Sequence, residues 1–341
     1  MTRPDRSVAP PSRRDAAPRT AALAVLLALV AVLGGCAGGG SGSSASASGA
    51  SPAGAGVAPG SSSGGPRATG FPVTVQGSGG AVTVTTAPKA VVSLAPSLTE
   101  MLFAIGAGNQ VKAVDDQSTY PPQAPRTKLS GFQPSAEAVA GYSPDLVLVS
   151  SDANGLVSAL TRLKVPVLVL PAPATLEGAY AQELTLGRAT GHAEQARQVV
   201  DRTRSRIAAA VAAVPTTATQ LKVYHELDQT YFSVTSRTFI GDLYRRFGLR
   251  NIADGASKPA GGYPQLSAEF VIASAPDLIV LADGRCCGQT PASVSRRPAF
   301  DGLPAVRDRR VIAVDDDVAS RWGPRVADFA DQIARALGAK V

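Results

Sequence analysis

Apolar and polar positions along the chain follow two different periods in alternation. Short apolar runs such as Val91–Leu94, Val147–Val149 and Ile279–Leu281 suit parallel strands that are buried on both faces. Between these runs, apolar residues recur three and four positions apart, which is the spacing of helices with one buried face. Strands that alternate with helices predict an α/β protein built on parallel sheets.

One long stretch, residues 175–215, has helical spacing with a single break at Gly187–His192. After the break the apolar stripe continues through Ala196, Val199, Val200, Thr203, Ile207 and Val211, and Pro215 ends it. We expect one stiff helix over 193–214 that crosses once between two α/β regions, 69–174 and 216–341. The break should form a corner at the edge of the first region.

Turn and cap residues place the other elements. Ser97-Leu-Thr-Glu100 matches a capping box, so we expect a helix to begin there. A hairpin is predicted over Phe71–Val75 and Ala81–Thr85. In the second half, strands are predicted at Leu221–His225 and Val311–Val314, and helices at Ile240–Phe247 and Val326–Leu337.

A segment of about a dozen residues occurs twice, at 135–146 and at 267–278, each time beginning Ser-Ala-Glu and ending Pro-Asp-Leu. Ser135 and Ser267 stand where a helix N-cap is wanted, and the proline ends each helix before a buried strand. Glu137 and Glu269 therefore occupy equivalent first-turn positions in two similar lobes. A purely local role, in which each carboxylate complements its helix dipole, would also explain them.

The N-terminus predicts export and anchoring. Five arginines precede an unbroken apolar run, Ala21–Leu33, which is too short for an ordinary membrane span and fits a signal peptide over 1–35. Leu33-Gly-Gly-Cys36 resembles a bacterial lipobox, which implies cleavage before Cys36 and lipidation of that cysteine; a secretory signal with a chance cysteine is the alternative. Residues 36–68, mostly Gly, Ser, Ala and Pro, predict a flexible tether to the membrane.

Charge and motifs exclude several functions. The net charge of +7 includes +3 from the leader, and the basic residues form no stripe with aromatics, so no nucleic-acid partner is expected. The motifs of hydrolases, zinc proteases and P-loop proteins do not occur, and no enzyme activity is expected. Only two histidines occur, so no metal site is expected. Asp315–Asp317 is interpreted as a solvated turn.

Cys286 and Cys287 are neighbours in a chain expected to be exported to an oxidising compartment. A disulfide between them is possible, and a reactive or ligand-contacting thiol is the alternative.

The stretch from about Phe71 to the end resembles the substrate-binding proteins of type II ABC importers, which carry cobalamin, haem or ferric siderophores. The resemblance is carried in order by Pro88–Glu100, Tyr120–Ala124, Gly131–Glu137, Ser143–Val147 and Tyr263–Glu269. It implies two Rossmann-like lobes bridged by one long helix, with the ligand cleft between them. It also implies a monomer without a cofactor that docks on a permease dimer at the outer face of the cell membrane.

The resemblance assigns roles to individual residues. Glu137 and Glu269 would pair with arginines of the permease, and Tyr120 and Tyr263 fall at cleft positions of the family. Further ligand contacts are expected from aromatic residues in loops at strand ends and from the arginines that flank the single tryptophan, namely Phe132, Phe232, Arg321, Trp322 and Arg325.

Each of these has a plainer alternative: ordinary packing for the aromatics and solvated surface for the arginines. Gly131 stands where cobalamin-binding members have an aromatic residue, which leaves the ligand open among corrinoids, haem and siderophores. A lipid-anchored metal receptor and a cell-envelope enzyme are the alternative functions.

Overall fold

The computed structural model describes residues 70–256 and 260–339; the expected signal peptide, Cys36 and the tether lie outside the described residues. The strands are β1 (Val73–Gly77), β2 (Gly80–Val84), β3 (Val91–Ser93), β4 (Val111–Val114), β5 (Leu146–Val149), β6 (Val167–Val169), β7 (Lys222–Glu226), β8 (Arg250–Asn251), β9 (Leu278–Leu281) and β10 (Val311–Ala313). The α-helices are α1 (Pro96–Ala104), α2 (Ala136–Ala140), α3 (Leu156–Arg162), α4 (Leu176–Thr190), α5 (Ala193–Ala212), α6 (Phe239–Arg246), α7 (Ala268–Ser274), α8 (Gly284–Cys287), α9 (Pro291–Ser295), α10 (Pro304–Arg307), α11 (Asp316–Ser320) and α12 (Val326–Ala336).

Two parallel sheets with the same strand order form the two lobes. The N-terminal sheet runs β4-β3-β5-β6 and the C-terminal sheet runs β8-β7-β9-β10. Their third strands in chain order, β5 and β9, are apolar and buried along their whole length, as expected for strands covered on both faces. The β1–β2 hairpin is antiparallel and separate from both sheets. The α/β class and the two lobes that the sequence predicted are confirmed.

The connection between the lobes is a helical hairpin. Gly191, in the left-handed region at φ 82°, turns the chain between α4 and α5, which is the expected corner. Helix α5 packs Ala196 into the N-lobe core and Ile207 into the C-lobe core. The expectation of a single crossing is wrong, because α4 also packs against both cores. Its start, including Tyr180, lies in the C-lobe core, and its end, including Leu186, in the N-lobe core.

Helix α1 begins at Pro96 and not at the expected capping box. Pro96 occupies the first turn, where its missing N–H costs nothing, and Ala95 is the N-cap without a side-chain bond. Ser97 lies inside the helix and accepts the backbone N–H of Trp322 at 3.2 Å. The other residue of the expected box, Glu100, binds arginines of the C-lobe. Both side chains thus make contacts between the lobes that sequence spacing does not reveal.

Glu183 is a buried carboxyl group on α4, beside residues that belong to both cores. Its side chain is 2% exposed, and its Oε1 has no hydrogen-bond partner among the described residues. Burial raises its pKa to about 8, because the ionised form would lose its hydration. The folded protein therefore keeps this acid neutral at physiological pH.

We expect Glu183→Gln to flatten the pH dependence of stability. The folded state holds a proton on Glu183 up to about pH 8, whereas the unfolded chain releases it near 4.5. Stability therefore falls as pH rises across this window, by at most roughly 1.4 kcal/mol per pH unit. Urea unfolding at pH 5, 6.5 and 8 should show the variant gaining on the wild type as pH rises. Parallel pH curves for the two proteins would contradict this assignment.

Candidate functional site

The carboxyl edges of the two sheets meet between the lobes. The loop after β4 reaches the segment after β10, where the Thr119 hydroxyl donates to Asp317 at 3.1 Å. Arg321 donates to the carbonyl of Gln117 in the same loop at 2.8 Å. Ligands of α/β proteins bind outside the carboxyl ends of the strands, so this interlobe space is the candidate binding cleft.

A buried ion cluster joins the lobes beside this cleft. Glu100, on α1 of the N-lobe, accepts Arg321 Nη1 at 2.9 Å. It also accepts Arg325 twice, Nε at 2.8 Å and Nη2 at 2.5 Å. Glu100 and Arg321 are buried, and Arg321 has a second carboxylate partner in Asp317 at 2.8 Å. Buried charges of this kind are tolerated only because each has partners of opposite sign.

Trp322 packs where the two cores come together. It contacts both the N-lobe and the C-lobe clusters, and its ring meets Phe239 edge-on at 6.2 Å. The indole N–H donates to Gln182 on α4 at 2.8 Å. Arg321 and Trp322 therefore hold the lobes together. The ligand contact expected for each from the sequence stays a prediction, and their existing partners argue against it.

Arg325 and Tyr120 form a pair between the lobes, beside the Glu100 cluster. The guanidinium carbon of Arg325 lies 4.1 Å from the centroid of the Tyr120 ring, which is cation–π geometry. Tyr120 remains 42% exposed. The pair borders a cavity of about 520 Å³ that Glu100 of α1, Arg206 of α5 and Asp328 of α12 also line; the other three expected aromatics do not reach it. Of the two arginines expected to grip a ligand, Arg325 is the one with a face still on open space.

The exposed aromatics coincide with the expected cleft residues. Six large apolar side chains are exposed among the described residues, and four of them were singled out by the sequence, namely Tyr120, Phe132, Phe232 and Tyr263. Phe132 is 81% exposed. All four lie in segments beyond the carboxyl ends of strands. Contiguous apolar surface, unlike a single exposed side chain, is typical of ligand and partner sites.

Phe232 and Tyr263 are presented on paired segments of the C-lobe. Phe232 forms an antiparallel bridge with Gln265, and the Ser233 N–H donates to the carbonyl of Pro264 at 2.9 Å. These two aromatics therefore belong to one surface, although they are 31 positions apart in the chain, from 232 to 263. Tyr120 and Phe132 belong to the other lobe, so each lobe carries two of the aromatics that were expected to line the cleft.

Glu137 and Glu269 occupy equivalent places in the two lobes. Each follows a serine N-cap whose hydroxyl accepts the N–H of the third helical residue, as the repeat predicted. Helix α2 leads into β5 and α7 into β9, the corresponding strands of the two sheets. Both carboxylates are exposed, and the pKa of each is lowered by hydrogen bonds from its own backbone N–H and from the capping serine. Two fixed negative charges thus stand at matched positions on the surface.

The acidic segment Asp315–Asp317 is not the simple solvated turn that was expected. Asp315 caps α11, and Asp316 accepts the backbone N–H groups of Arg285 and Cys286 at 3.1 and 2.9 Å. Cys286 and Cys287 are joined in a disulfide on α8, in agreement with the first of the two sequence alternatives. The three aspartates therefore organise the contacts around this disulfide and the interlobe contact of Asp317.

Sequence reasoning missed a buried ionic cluster below the disulfide turn. Arg297 binds Glu226 with two bonds of 2.6 and 2.5 Å, and Glu226 and Asp283 are fully buried at the ends of β7 and β9. Burial, and next the charge of Glu226, raise the pKa of Asp283 to about 7. Arg297 and Glu226 are 71 positions apart in the chain, and no local sequence pattern connects them.

Within the described ranges, no group of three or more His, Cys, Asp or Glu side chains is arranged to hold a metal ion. The same residues include no helix with the length and apolar character needed to cross a membrane.

Comparisons with known proteins agree with this geometry. The model of the family described as "Periplasmic binding protein" matches residues 91–318. A cobalamin-binding protein of Halobacterium salinarum is 32% identical over 280 residues, which cover 80% of this chain and 75% of the relative. The Bacillus subtilis protein YvrC, an uncharacterized ABC transporter substrate-binding lipoprotein, is 28% identical over 78% of this chain and 86% of its own length. The apo structure of the periplasmic heme-binding protein RhuT from Roseiflexus sp. RS-1 superposes with a TM-score of 0.62 at 25% identity, over 73% of this chain and 98% of that one.

We expect Glu100→Gln to destabilise the protein by about 3 kcal/mol or more, since it leaves two guanidinium groups at the lobe junction without their shared countercharge. Urea unfolding followed by circular dichroism measures the loss. Glu137→Gln, a change of the same chemistry at an exposed site, should lower the urea midpoint much less, since it removes only local first-turn contacts. Equal midpoints for the two variants would show that the Glu100 cluster does not hold the lobes together.

Proposed function

This chain belongs to the periplasmic binding protein family, and from that premise we propose that it captures a corrinoid, haem or a ferric siderophore outside the cytoplasm and delivers it to an ABC importer. Like its relatives, it is a substrate-binding protein and not an enzyme. The observation that supports the ligand class is the set of four exposed aromatics, two on each lobe, beyond the carboxyl ends of the strands.

The chemistry of the cleft favours a large ligand with apolar faces. Tyr120 and Phe132 on one lobe, and Phe232 and Tyr263 on the other, offer ring faces to a flat or bulky molecule. Arg325 adds a positive charge beside Tyr120 that suits a carboxylate or phosphate at the ligand's edge. The cobalamin-binding relative supports a corrinoid as the first ligand to test.

We expect Phe232→Ala and Tyr263→Ala each to weaken ligand binding at least tenfold, because each removes an aromatic contact from the cleft. Thermal-shift screening with cyanocobalamin, haemin and a ferric hydroxamate identifies the ligand; a ligand at 100 times its Kd should stabilise the fold by about 2.7 kcal/mol. Calorimetry then gives the Kd of each variant.

Tyr142→Ala is the matched control for these substitutions. Tyr142 is 40% exposed, close to the 38% of Tyr263, but it follows the end of α2, away from the carboxyl edge of the sheet. Its Kd should equal that of the wild type. If the control loses as much affinity as Phe232→Ala and Tyr263→Ala, these aromatics do not form the site. If none of the three compounds binds, the proposed ligand class is wrong.

We propose further that Glu137 and Glu269 dock the two lobes onto the two halves of a permease dimer. Two ionised carboxylates at equivalent positions match a partner with two-fold symmetry, where opposite charges orient the encounter. The Glu137→Ala, Glu269→Ala double variant should abolish ligand uptake by cells while the Kd in solution stays within about threefold of wild type. Glu194→Ala, which removes an exposed carboxylate from α5, should transport normally. Loss of ligand binding in the double variant would place the two glutamates in the cleft instead.

We also propose that lipid on Cys36, which lies outside the described residues, anchors the protein at the outer face of the cell membrane. The lipobox-like Leu33-Gly-Gly-Cys36 and the lipoprotein relative in Bacillus subtilis support this. Cys36→Ser should move the protein from the membrane fraction to the soluble fraction in a cell-fractionation blot. A variant that stays in the membrane fraction at the size of the uncleaved chain would refute the lipid anchor.

A further inference from the structure

The Cys286–Cys287 disulfide lies on the turn that follows β9, at the carboxyl edge of the C-lobe sheet. Cys286 is exposed and Cys287 is half-buried, so a thiolate in solution can reach the bond. The stability that a disulfide adds grows with the length of the loop it closes, and neighbouring residues close the shortest loop there is. A structural role therefore explains this bond poorly, whereas a chemical role suits its exposed position.

One side of the disulfide turn is bound to the acidic segment after β10. The carboxylate of Asp316 accepts the N–H of Cys286 at 2.9 Å. The guanidinium of Arg285, the residue before the disulfide, binds Asp315 at 2.5 Å and Asp317 at 2.8 Å. The position of Arg285 thus depends on the conformation of the turn that carries the two sulfur atoms.

Asp317 connects this turn to the contact between the lobes. Besides Arg285, it accepts Arg321 at 2.8 Å and the hydroxyl of Thr119, a residue of the N-lobe, at 3.1 Å. Trp322 follows Arg321 directly and packs against both cores. Only Arg285 and Asp317 therefore separate the disulfide from the residues that hold the lobes together.

The other side of the turn is fixed to the C-lobe. Arg297, which pairs with the buried Glu226, donates to the side chain of Gln289 at 2.7 Å. The carbonyl of Asp283 accepts the N–H of Cys287 at 3.2 Å. Both ends of the turn are therefore held in place. A change in the covalent geometry of residues 286–287 is taken up within the turn, and Arg285 is the side chain of the turn that reaches the lobe contact.

We propose that Cys286–Cys287 is a reversible thiol-exchange site, and that its redox state is transmitted through Arg285 and Asp317 to the contact between the lobes. In the disulfide form the turn aligns Arg285 with the acidic segment and supports the contact between the lobes. In the dithiol form this support is lost and the cleft binds its ligand more weakly. The statement on ligand affinity rests on the proposed function; the statement on the lobe contact does not.

The exchange needs a dithiol reductant, either a small molecule or a protein with two neighbouring thiols. One thiolate of the reductant attacks Sγ of the exposed Cys286, the Cys286–Cys287 bond breaks, and the sulfur of Cys287 leaves as a thiolate that takes up a proton. The second thiolate then attacks the mixed disulfide and releases Cys286 as a thiol. Two electrons pass to the protein, and the reductant leaves as a disulfide.

The chain offers a clean test because it contains three cysteines and one tryptophan. In the full chain with Cys36→Ser, the only cysteines are Cys286 and Cys287, and the tryptophan emission reports on Trp322 at the lobe junction. We expect no reactive thiol before treatment and two after dithiothreitol has acted and been removed by anaerobic gel filtration. The emission of Trp322 should shift on reduction while the far-ultraviolet circular dichroism stays constant.

Two variants distinguish thiol exchange at Cys286–Cys287 from its effect on the contact between the lobes. Cys286→Ser with Cys287→Ser should show the emission of the reduced protein and no response to dithiothreitol. Arg285→Ala should still yield two thiols on reduction, but its emission should be the same in both redox states. A bond that opens only when the protein unfolds, or an emission that is equal in the oxidised and reduced wild-type site, would overturn the proposal.

Ligand binding gives the functional result. The oxidised Cys36→Ser protein should bind cyanocobalamin at least fivefold more tightly than the reduced protein, and the double serine variant should match the reduced value. Equal affinities in the two redox states would overturn the coupling to the cleft. If neither state binds cyanocobalamin, that ligand is wrong, and the emission of Trp322 still decides whether the redox state reaches the lobe contact.

Discussion

The pairing of Glu100 with Arg321 and Arg325 is the interaction on which the arrangement of the lobes depends. The carboxylate belongs to the first helix of the N-lobe, and the two guanidinium groups come from a segment more than 200 residues later, with separations of 221 and 225. Removing three charged groups from water is expensive, and their mutual attraction offsets that cost only while the two lobes stay together. The cluster therefore specifies one lobe orientation more than it adds stability. The helical hairpin α4–α5 also fixes the orientation of the lobes. Each of its helices packs into both cores, so a movement of one lobe would break its contacts with the other.

The two sheets repeat one plan, and that repetition explains the matched carboxylates. In each lobe the chain forms a serine-capped helix and then the buried strand that pairs with the first strand of the sheet. Glu137 and Glu269 inherit equivalent positions from this plan, so two surface charges arise at corresponding points without any contact between them. The hydrogen bonds that lower their pKa values are also local to each first turn. The position of each glutamate depends only on the local structure of its own repeat, so the repeat in the sequence reveals the pair directly.

The same distinction explains what the sequence could and could not predict. The buried strands and the serine caps follow from local periodicity, and the structure has them within one or two residues of the predicted bounds; the break before α5 is also present but shorter than predicted, since α4 continues to Thr190. The capping box at Ser97 and Glu100 failed, because both side chains bond to residues far away in the chain. The cluster of Glu226, Asp283 and Arg297 went unnoticed for the same reason. Tyr120 and Tyr263 could be singled out through the family resemblance, and Phe132 and Phe232 through their places in loops at strand ends, but their exposure depends on loop conformations that no short-range pattern fixes.

Charge and aromatic surface have separate tasks along the cleft. Arg321 is 7% exposed, and its donors bind Glu100, Asp317, Gln117 and Thr119. The donors of Arg325 bind Glu100, and its guanidinium stacks on the ring of Tyr120. The four aromatic side chains, in contrast, remain partly exposed on both lobes. A small ionic ligand would have to compete for arginines that the lobe contact already uses and would leave the aromatics uncovered. A large ligand with apolar faces covers the aromatics and leaves the ion cluster intact. The arrangement of partners within the protein thus argues for a macrocycle or a bulky chelate, since binding it does not disrupt the contacts that position the cleft.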